Sequence, residues 1–525
     1  MSDQVAEDRT RLGLAALKKG DWAEAVQEFR QALKAAPKSA PAHHLLGWAL
    51  LEMGELDAAL AEFRQALALN PEYADAYLRM GRALEKRRDL DGAIEAYQQA
   101  LRVRPRWAEA HDALGFLLGR RGNLLGAQRE FEKAIESNPD FPEAHYHLGV
   151  TRWLMQETES AVAELRDALR LRADYPEAHH YLGLAYERQG KLEEAIEELQ
   201  SAARLDNQSA TLQNSLGMVL DRAGYLVDAA EAYRRSVELD PNFTEAHNNL
   251  GLILLKQGDG DGAIREFQAA GKLDPKYLAA RNNLGLALLQ KAQWEDAVTT
   301  YRALIEVDPQ NAEAHYNLGV AYKQMDRFEE ATQALETASG LDPGLPEPHY
   351  TLGVIFWQQG KLDEALEQFE AAIRARPDYQ PAHYILGSVL RQKGDLAGAR
   401  AALEIALRLD PDDAGAHQTL GGVLRQAGNL TAAAEEFNKA EALNKIRTNT
   451  QAATLATNTG SKKLREGDVE GAIMQFRAAL ELAPDYAPAH YQLGLALRQK
   501  GDQEGAKMEF DRARELDPKL KPPRQ

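Results

Sequence analysis

The strongest constraint on this chain is a glycine that recurs every 34 residues. Stepping by 34 from Gly13 gives glycine thirteen times in succession, ending at Gly421. After a slip of five residues the series resumes with Gly460 and Gly494, and alanine stands twelve residues after each of the fifteen glycines. Glycine inside a helix costs about 0.5–1 kcal/mol relative to alanine. We therefore predict that each glycine permits close approach of two helical backbones, with the alanine opposite giving the room.

Each 34-residue unit has the pattern of a helix, a turn and a second helix, as residues 346–379 illustrate. Leu352 and Phe356 lie at helical spacing in the first half, Gly360 interrupts the pattern, and Pro377 ends the second half. Isolated helices of about 12–15 residues are marginal in water. Each unit must therefore bury its apolar face against its neighbours, which indicates an extended array of units.

Six places in the unit carry leucine, glycine, alanine, an aromatic residue, alanine and proline, an order that resembles the tetratricopeptide repeat family. In residues 346–379 these are Leu352, Gly353, Ala365, Phe369, Ala372 and Pro377. The resemblance covers residues 6–447, as repeats 1–13, and residues 453–520, as repeats 14 and 15. It implies an all-α chain that forms a right-handed α-solenoid superhelix of about fifteen helix-turn-helix repeats.

The register breaks once, between repeats 13 and 14. Residues 448–452 are inserted there, and repeat 13 carries Glu441 and Lys445 where most repeats have an apolar residue and a proline. Polar residues at a contact between repeats weaken that contact, so one interpretation is a hinge. The alternative is a neutral insertion that a longer helix absorbs. After repeat 15, residues 521–525 form a short tail.

Charge and composition exclude several classes of function. The chain has 62 basic and 80 acidic residues, a net charge of −18, which argues against nucleic acid as a partner. It contains no cysteine, which excludes disulfides and thiolate metal sites. The polar start MSDQVAEDRT lacks the apolar core of a signal peptide, and no stretch reaches the roughly 18 apolar residues of a membrane span. We expect a cytoplasmic protein without membrane insertion, unless a signal peptide was removed from the sequence.

Thirteen histidines raise the question of a metal or catalytic site. Ten of them share one place, four residues before the recurring glycine: His43, His111, His145, His179, His247, His315, His349, His383, His417 and His490. Recurrence at one structural position indicates packing, because neighbouring copies would lie about 8–10 Å apart, too far to share one metal ion. No HExxH, GxSxG, GxxxxGK(S/T) or CxxC motif occurs, and no stretch is left over to hold an enzyme domain. We expect no enzymatic activity, no cofactor and no metal.

The resemblance implies that the first helix of each repeat lines a concave inner surface on which peptide ligands lie. Two rows of polar side chains occur there: Asn214, Asn248, Asn282, Tyr316, Tyr350 and Tyr384 three residues before the glycine, and Asn249, Asn283 and Asn317 two residues before it. We predict that these residues form a peptide-binding groove. The asparagines are similar in placement to the asparagine ladder of O-linked N-acetylglucosamine transferase, whose catalytic domain has no counterpart in this sequence.

An asparagine amide has both a donor and an acceptor, so it can bond a peptide backbone without reading the side chains of the peptide. With repeats about 8–10 Å apart and about 3.3 Å per extended residue, each asparagine would meet roughly every third residue of a ligand. Alternatively, the asparagines bridge adjacent first helices, and the tyrosines pack their rings without a ligand.

These observations predict a protein-interaction scaffold that holds extended or helical peptide segments in its groove. One alternative is a substrate-recruiting subunit for an enzyme on a separate chain, such as a glycosyltransferase, and another is a self-assembling structural solenoid. Charged residues at both ends of the array argue against self-assembly, so we expect a monomer. Chaperone-binding relatives hold an acidic C-terminus with Lys or Arg on the inner face, and repeats 2–6 have neither three residues before the glycine.

Overall fold

The computed structural model describes the backbone of residues 2–523 and the side chains of residues 4–523, so that residues 524 and 525 of the predicted tail lie outside it. Regular structure in this part of the chain consists of 29 α-helices without a β-strand. None of these helices has both the length and the apolarity needed to cross a membrane. The chain divides into two compact units, Met1–Asn207 and Gln208–Gln525. The predicted all-α architecture of helix-turn-helix repeats is confirmed.

The first unit holds repeats 1–6, each a pair of helices joined by a short turn. Its helices are α1 Ser2–Lys19, α2 Trp22–Ala35, α3 Ala40–Glu52, α4 Leu56–Leu69, α5 Ala74–Lys86, α6 Leu90–Val103, α7 Ala108–Arg120, α8 Leu124–Ser137, α9 Pro142–Leu154, α10 Thr158–Leu171, α11 Pro176–Arg188 and α12 Leu192–Leu205. Within this unit the two helices of a repeat pack together, and the second helix also packs against the first helix of the next repeat.

The second unit holds repeats 7–15. Its helices are α13 Ala210–Ala223, α14 Leu226–Leu239, α15 Thr244–Lys256, α16 Gly260–Leu273, α17 Leu278–Gln290, α18 Trp294–Val307, α19 Ala312–Gln324, α20 Phe328–Leu341, α21 Pro346–Gln358, α22 Leu362–Ala375, α23 Gln380–Lys393, α24 Leu396–Leu409, α25 Ala414–Gln426, α26 Leu430–Arg465, α27 Val469–Leu482, α28 Ala487–Lys500 and α29 Gln503–Leu516. First helices of neighbouring repeats, such as α15 and α17, also touch each other. This layer of first helices carries both predicted polar rows.

The turn inside each repeat is set by its local sequence. In repeat 12 the helix α23 is followed by Gly394 with a φ of 88°, a left-handed conformation that glycine adopts without steric cost. Asp395 then caps α24, because its carboxylate accepts a hydrogen bond of 2.9 Å from the backbone N–H of Gly398. The interruption predicted at Gly360 has the same left-handed conformation, with a φ of 77°.

The recurring glycine is required by a large side chain of the second helix. A Cβ atom added to Gly353 would lie only 2.7 Å from Cε1 of Phe369. At all fifteen positions the nearest atom belongs to the residue sixteen places later, at 2.4–2.8 Å, and that residue is always phenylalanine, tyrosine or leucine. The predicted close approach is therefore present, but its main cause is this side chain rather than the alanine. The alanine, such as Ala365, is completely buried beside it.

Replacing Gly353 with alanine should destabilise repeat 11 by about 1–3 kcal/mol, because the added methyl group has to displace the Phe369 ring. Gly271 in α16 is the matched control, since a Cβ atom there meets nothing within 4 Å. The change Gly271→Ala should stabilise its helix by about 0.5–1 kcal/mol. Hydrogen exchange in α21, α22 and α16 measures both effects. Unchanged protection in the Gly353→Ala variant would contradict the role given to the Phe369 contact.

The insertion between repeats 13 and 14 lies inside one continuous helix. The 36-residue helix α26 joins the second helix of repeat 13 to the first helix of repeat 14 without a turn. Residues 448–452 fall in its middle, and Glu441 and Lys445 are exposed to solvent. The structure thus has the longer helix that was expected if the insertion is absorbed without a turn. A hinge in this exposed segment stays a prediction.

Candidate functional site

The two predicted polar rows meet each other between adjacent repeats. The side chain three places before the glycine of one repeat faces the side chain two places before the glycine of the next repeat, 35 residues later. Asn249 donates a hydrogen bond of 3.1 Å from Nδ2 to Oδ1 of Asn214, and Asn283 donates an equivalent bond of 2.9 Å to Asn248. The rows therefore form one ladder of amide pairs along the first helices of repeats 7 to 9.

These bonds correspond to the interpretation in which asparagines bridge adjacent first helices. Asn214 and Asn248 are buried, so their amides need partners inside the protein. Each amide has two donors and an oxygen with two lone pairs, and a single amide–amide bond leaves most of that capacity unused. Asn249 and Asn283 are only half-buried and keep further donors and acceptors. A role of these four residues in ligand binding stays a prediction.

The third pair of the ladder is different. Asn282 and Asn317 occupy the same two places, but in the described part of the chain no hydrogen bond joins them, and Nδ2 of the buried Asn317 has no partner. A buried donor without an acceptor costs about 1–3 kcal/mol. Asn282 is half-buried, and its amide makes no hydrogen bond to another side chain in the described part of the chain. This pair is the place in the ladder where an acceptor is missing.

The tyrosine row continues the ladder into repeats 10 to 12. The hydroxyl of Tyr316 lies near Thr351, which stands 35 residues later in the same relation as the asparagine pairs, and the Thr351 hydroxyl donates a hydrogen bond of 2.8 Å to the carbonyl oxygen of Glu347. The ring of Tyr350 packs edge-on against Tyr379, with the centroids 5.7 Å apart, and the Tyr384 hydroxyl lies against Gly415. Burial raises the pKa of Tyr316 and of Tyr350, so both stay neutral hydroxyls. The three tyrosines thus occupy equivalent places on successive first helices, and ring packing is seen at Tyr350.

In the first unit, other side chains occupy the places three and two residues before the recurring glycine. The polar rows predicted from the sequence do not include them. The guanidinium of Arg79 lies over the ring of Trp48, 3.6 Å from its centroid, and Asp112 bonds Nδ1 of His147 at 2.7 Å. Asp112 and His147 are 35 residues apart, as are the asparagine pairs. The sequence signal for this pair is that one residue stands three places before the glycine of its repeat and the other stands two places before the glycine of the following repeat.

The recurring histidines bind the two helices of their own repeat together. In repeat 8, Nδ1 of His247 lies 2.7 Å from the Glu266 carboxylate of the second helix, and Nε2 lies 3.1 Å from the carbonyl oxygen of Pro241. The same pair with a glutamate nineteen residues later occurs at His43, His111, His145, His179, His417 and His490. Both partners are acceptors, so a protonated imidazole, which donates from both nitrogens, satisfies both. These histidines pack the repeat, as predicted.

Only one group of the described residues, His145 with Glu164 and Asp167, has donor atoms close enough to share a metal ion. Arg152 already donates a hydrogen bond of 2.8 Å to Glu164. The hydrogen bond to Glu164 raises the pKa of His145, which favours a protonated ring without a free lone pair. We assign this group to the histidine–glutamate packing contact rather than to a metal site.

This contact predicts a pH dependence. The bond to Glu266 raises the pKa of His247, and Asp240 acts in the same direction. The contact of protonated His247 with Glu266 therefore stabilises the fold fully below the ordinary histidine pKa of about 6.5. This stabilisation is lost as the pH rises through the raised pKa of His247. Glu266→Gln should lower the pKa of His247 and weaken repeat 8 by about 1–3 kcal/mol at pH 6.

NMR titration of the His247 ring between pH 5 and pH 9 measures this pKa, with urea unfolding as the stability measurement. The exposed Glu306 has no hydrogen bond or ion pair with a histidine among the described residues and provides the matched change Glu306→Gln. An identical His247 titration in the Glu266→Gln variant and the intact chain would show that the carboxylate has no such effect.

Sequence profiles of the tetratricopeptide repeat match this chain along most of its length. One profile matches residues 44–110, 113–154, 214–277, 350–414 and 391–445, together about half of the chain. Further profiles, described as tetratricopeptide repeat or TPR repeat, match residues 16–63, 154–190, 176–209, 287–326, 312–344, 460–501 and 487–520. A sequence comparison with curated proteins finds none that matches.

Three solved structures illustrate what the fold is similar to. The structure of Naa15/Naa10 bound to HypK-THB aligns over 98% of this chain and 95% of its own, at 15% identity and a TM-score of 0.29. The APC/C hetero-tetramer Cut9-Hcn1 aligns over 94% and 96%, at 17% identity and a TM-score of 0.36. The MamA RS-1 ArsTM double mutant covers 32% of this chain and 94% of its own, at 26% identity and a TM-score of 0.31. With TM-scores this low, no property of these proteins is transferred.

Proposed function

Since the chain belongs to the tetratricopeptide repeat family, we propose that it is a protein-interaction scaffold, which holds an extended segment of a partner protein along the first helices of repeats 7 to 12. Fold alone does not give a function, so the proposal depends on the side chains of these helices. They present neutral amides and hydroxyls in an unbroken series from Asn214 to Tyr384.

The observation that carries the proposal is the unpaired position at Asn282 and Asn317. The neighbouring pairs of the ladder are closed by amide bonds, whereas Nδ2 of Asn317 lacks an acceptor. An extended peptide offers a backbone carbonyl and an N–H at every residue, and these match the donor and the acceptor of an asparagine amide. A partner segment that crosses this position can supply the missing acceptor, with a small rotation of the Asn317 amide.

The chemistry of the ladder favours a ligand that is recognised mainly through its backbone. Amides and neutral tyrosine hydroxyls bond peptide groups of any sequence, and tyrosine rings contact apolar side chains. Glu313 lies near the start of α19 and disfavours an acidic segment, whereas Glu347 at the start of α21 is paired with Arg376 at 3.1 Å. The proposed ligand is therefore an uncharged or basic extended segment.

The test starts by identifying that segment. A photo-cross-linking amino acid in place of Tyr350 captures the bound protein in a lysate of the source cell, and mass spectrometry of the linked peptide gives its sequence. A synthetic copy of the peptide is then titrated against the intact chain by fluorescence anisotropy. This gives a dissociation constant for a defined ligand.

The double change Asn282→Ala with Asn317→Ala should weaken binding of this peptide at least tenfold, which is about 1.4 kcal/mol. These two residues make no bond between repeats, so the variant should keep the melting temperature of the intact chain. The matched control changes Asn242 and Asn438, which are exposed and lie outside the ladder, to alanine and should bind normally. Equal affinity of the ladder variant and the control would mean that the ladder only bridges repeats.

A further inference from the structure

The end of the second unit packs against its beginning. The Lys519 carbonyl oxygen lies so close to Gly224 that a Cβ atom added to this glycine would be 2.1 Å from it. The Lys521 ammonium lies 5.1 Å from the centroid of the Tyr225 ring. Repeats 14 and 15 thus contact repeats 7 and 8, although Lys519 and Gly224 stand 295 residues apart in the sequence.

This contact encloses a cavity of about 480 Å³. Arg234 of α14 and Lys256 of α15 line it from repeats 7 and 8. Arg465 of α26 and Tyr491 and Gln492 of α28 line it from repeats 14 and 15. Neither group of repeats forms this cavity by itself.

The cavity wall has an unbalanced positive charge. Three of its residues are basic and no aspartate or glutamate lines it, in a chain whose net charge is −18. Lys256 is neutralised by Asp221, with Nζ 2.6 Å from Oδ1. Arg234 and Arg465 make no ion pair or hydrogen bond with the described residues. Contact between the repeats therefore brings two solvent-exposed guanidinium groups, neither paired with a described residue, to the wall of one cavity.

A second observation points to the same kind of ligand. Tyr491 is only 4% exposed and lines the cavity, but its hydroxyl has no hydrogen-bond partner. Burial raises the pKa of Tyr491, and nearby Asp228 acts in the same direction, so the hydroxyl keeps its proton. A buried O–H group without an acceptor is costly. The same cavity is therefore lined by an unpartnered hydroxyl donor and by two arginines.

We infer that this cavity binds a small oxyanion, a phosphate or carboxylate group, between Arg234 and Arg465, with the Tyr491 hydroxyl as a further donor. Guanidinium groups are suited to oxyanions, because their paired N–H donors match two oxygens of the anion. The bound anion links repeats 14 and 15 to repeats 7 and 8. This site is separate from the peptide surface of the proposed function and does not depend on it.

Isothermal titration calorimetry of the full chain with inorganic phosphate, in chloride buffer at constant ionic strength, tests the site directly. We expect one site per chain, and affinity at least tenfold weaker for Arg234→Gln and for Arg465→Gln, with a smaller loss for Tyr491→Phe. The matched control is Arg64→Gln, because Arg64 occupies the place of Arg234 in repeat 2 and is also exposed. A parallel titration with acetate and citrate shows whether the natural source is a phosphate or a carboxylate group.

A second pair of variants tests whether the contact between the repeats builds the site. Gly224→Ala has to displace Lys519, whereas Gly428 has a similar φ of 83° and a Cβ atom there meets nothing within 4 Å. Gly224→Ala should abolish phosphate binding and Gly428→Ala should retain it. Absence of phosphate binding in the intact chain would overturn the inference. Binding that survives Gly224→Ala or both arginine changes would also overturn it, since it would indicate an adventitious ion only.

Discussion

The whole array depends on one contact, between a glycine of the first helix and the large side chain sixteen residues later. At 2.4–2.8 Å from the place of a Cβ atom, the phenylalanine, tyrosine or leucine leaves no room for any other residue at the glycine. The contact sets the distance between the two helices of a repeat. It recurs in all fifteen repeats, so the helix pairs within each unit are built alike. The ladder of polar side chains is a consequence of that regularity, since it needs a constant offset between neighbouring helices.

Much of the fold was predictable because its causes are local and recur. Glycine periodicity, Gly360 at the turn and Pro377 at the end of the second helix define a hairpin without reference to any other part of the chain. The packing role of the histidines followed from their recurrence, although their glutamate partners, such as Glu266 for His247, were not identified. The cause of the glycine was only partly predicted, because the sequence does not show which side chain lies over it.

Properties that arise between repeats were harder to predict. Asn214 and Asn249 are bonded because their two helices have a particular offset along the helix axis. The sequence of a single repeat does not show this offset. The contact of Lys519 with Gly224 joins residues that are much farther apart in the sequence. It results from small rotations added over several repeats, and no local pattern in the sequence records their sum.

The continuous helix α26 affects how other molecules could compete for the face of repeats 7 and 8 that repeats 14 and 15 cover. At about 1.5 Å per residue it is about 54 Å long, and it carries repeats 14 and 15 on the same chain as the repeats that they contact. Because repeats 14 and 15 are covalently joined to repeats 7 and 8, their contact is intramolecular and dilution of the protein does not weaken it. A free molecule must therefore displace repeats 14 and 15 to reach the covered face of repeats 7 and 8, whatever the protein concentration.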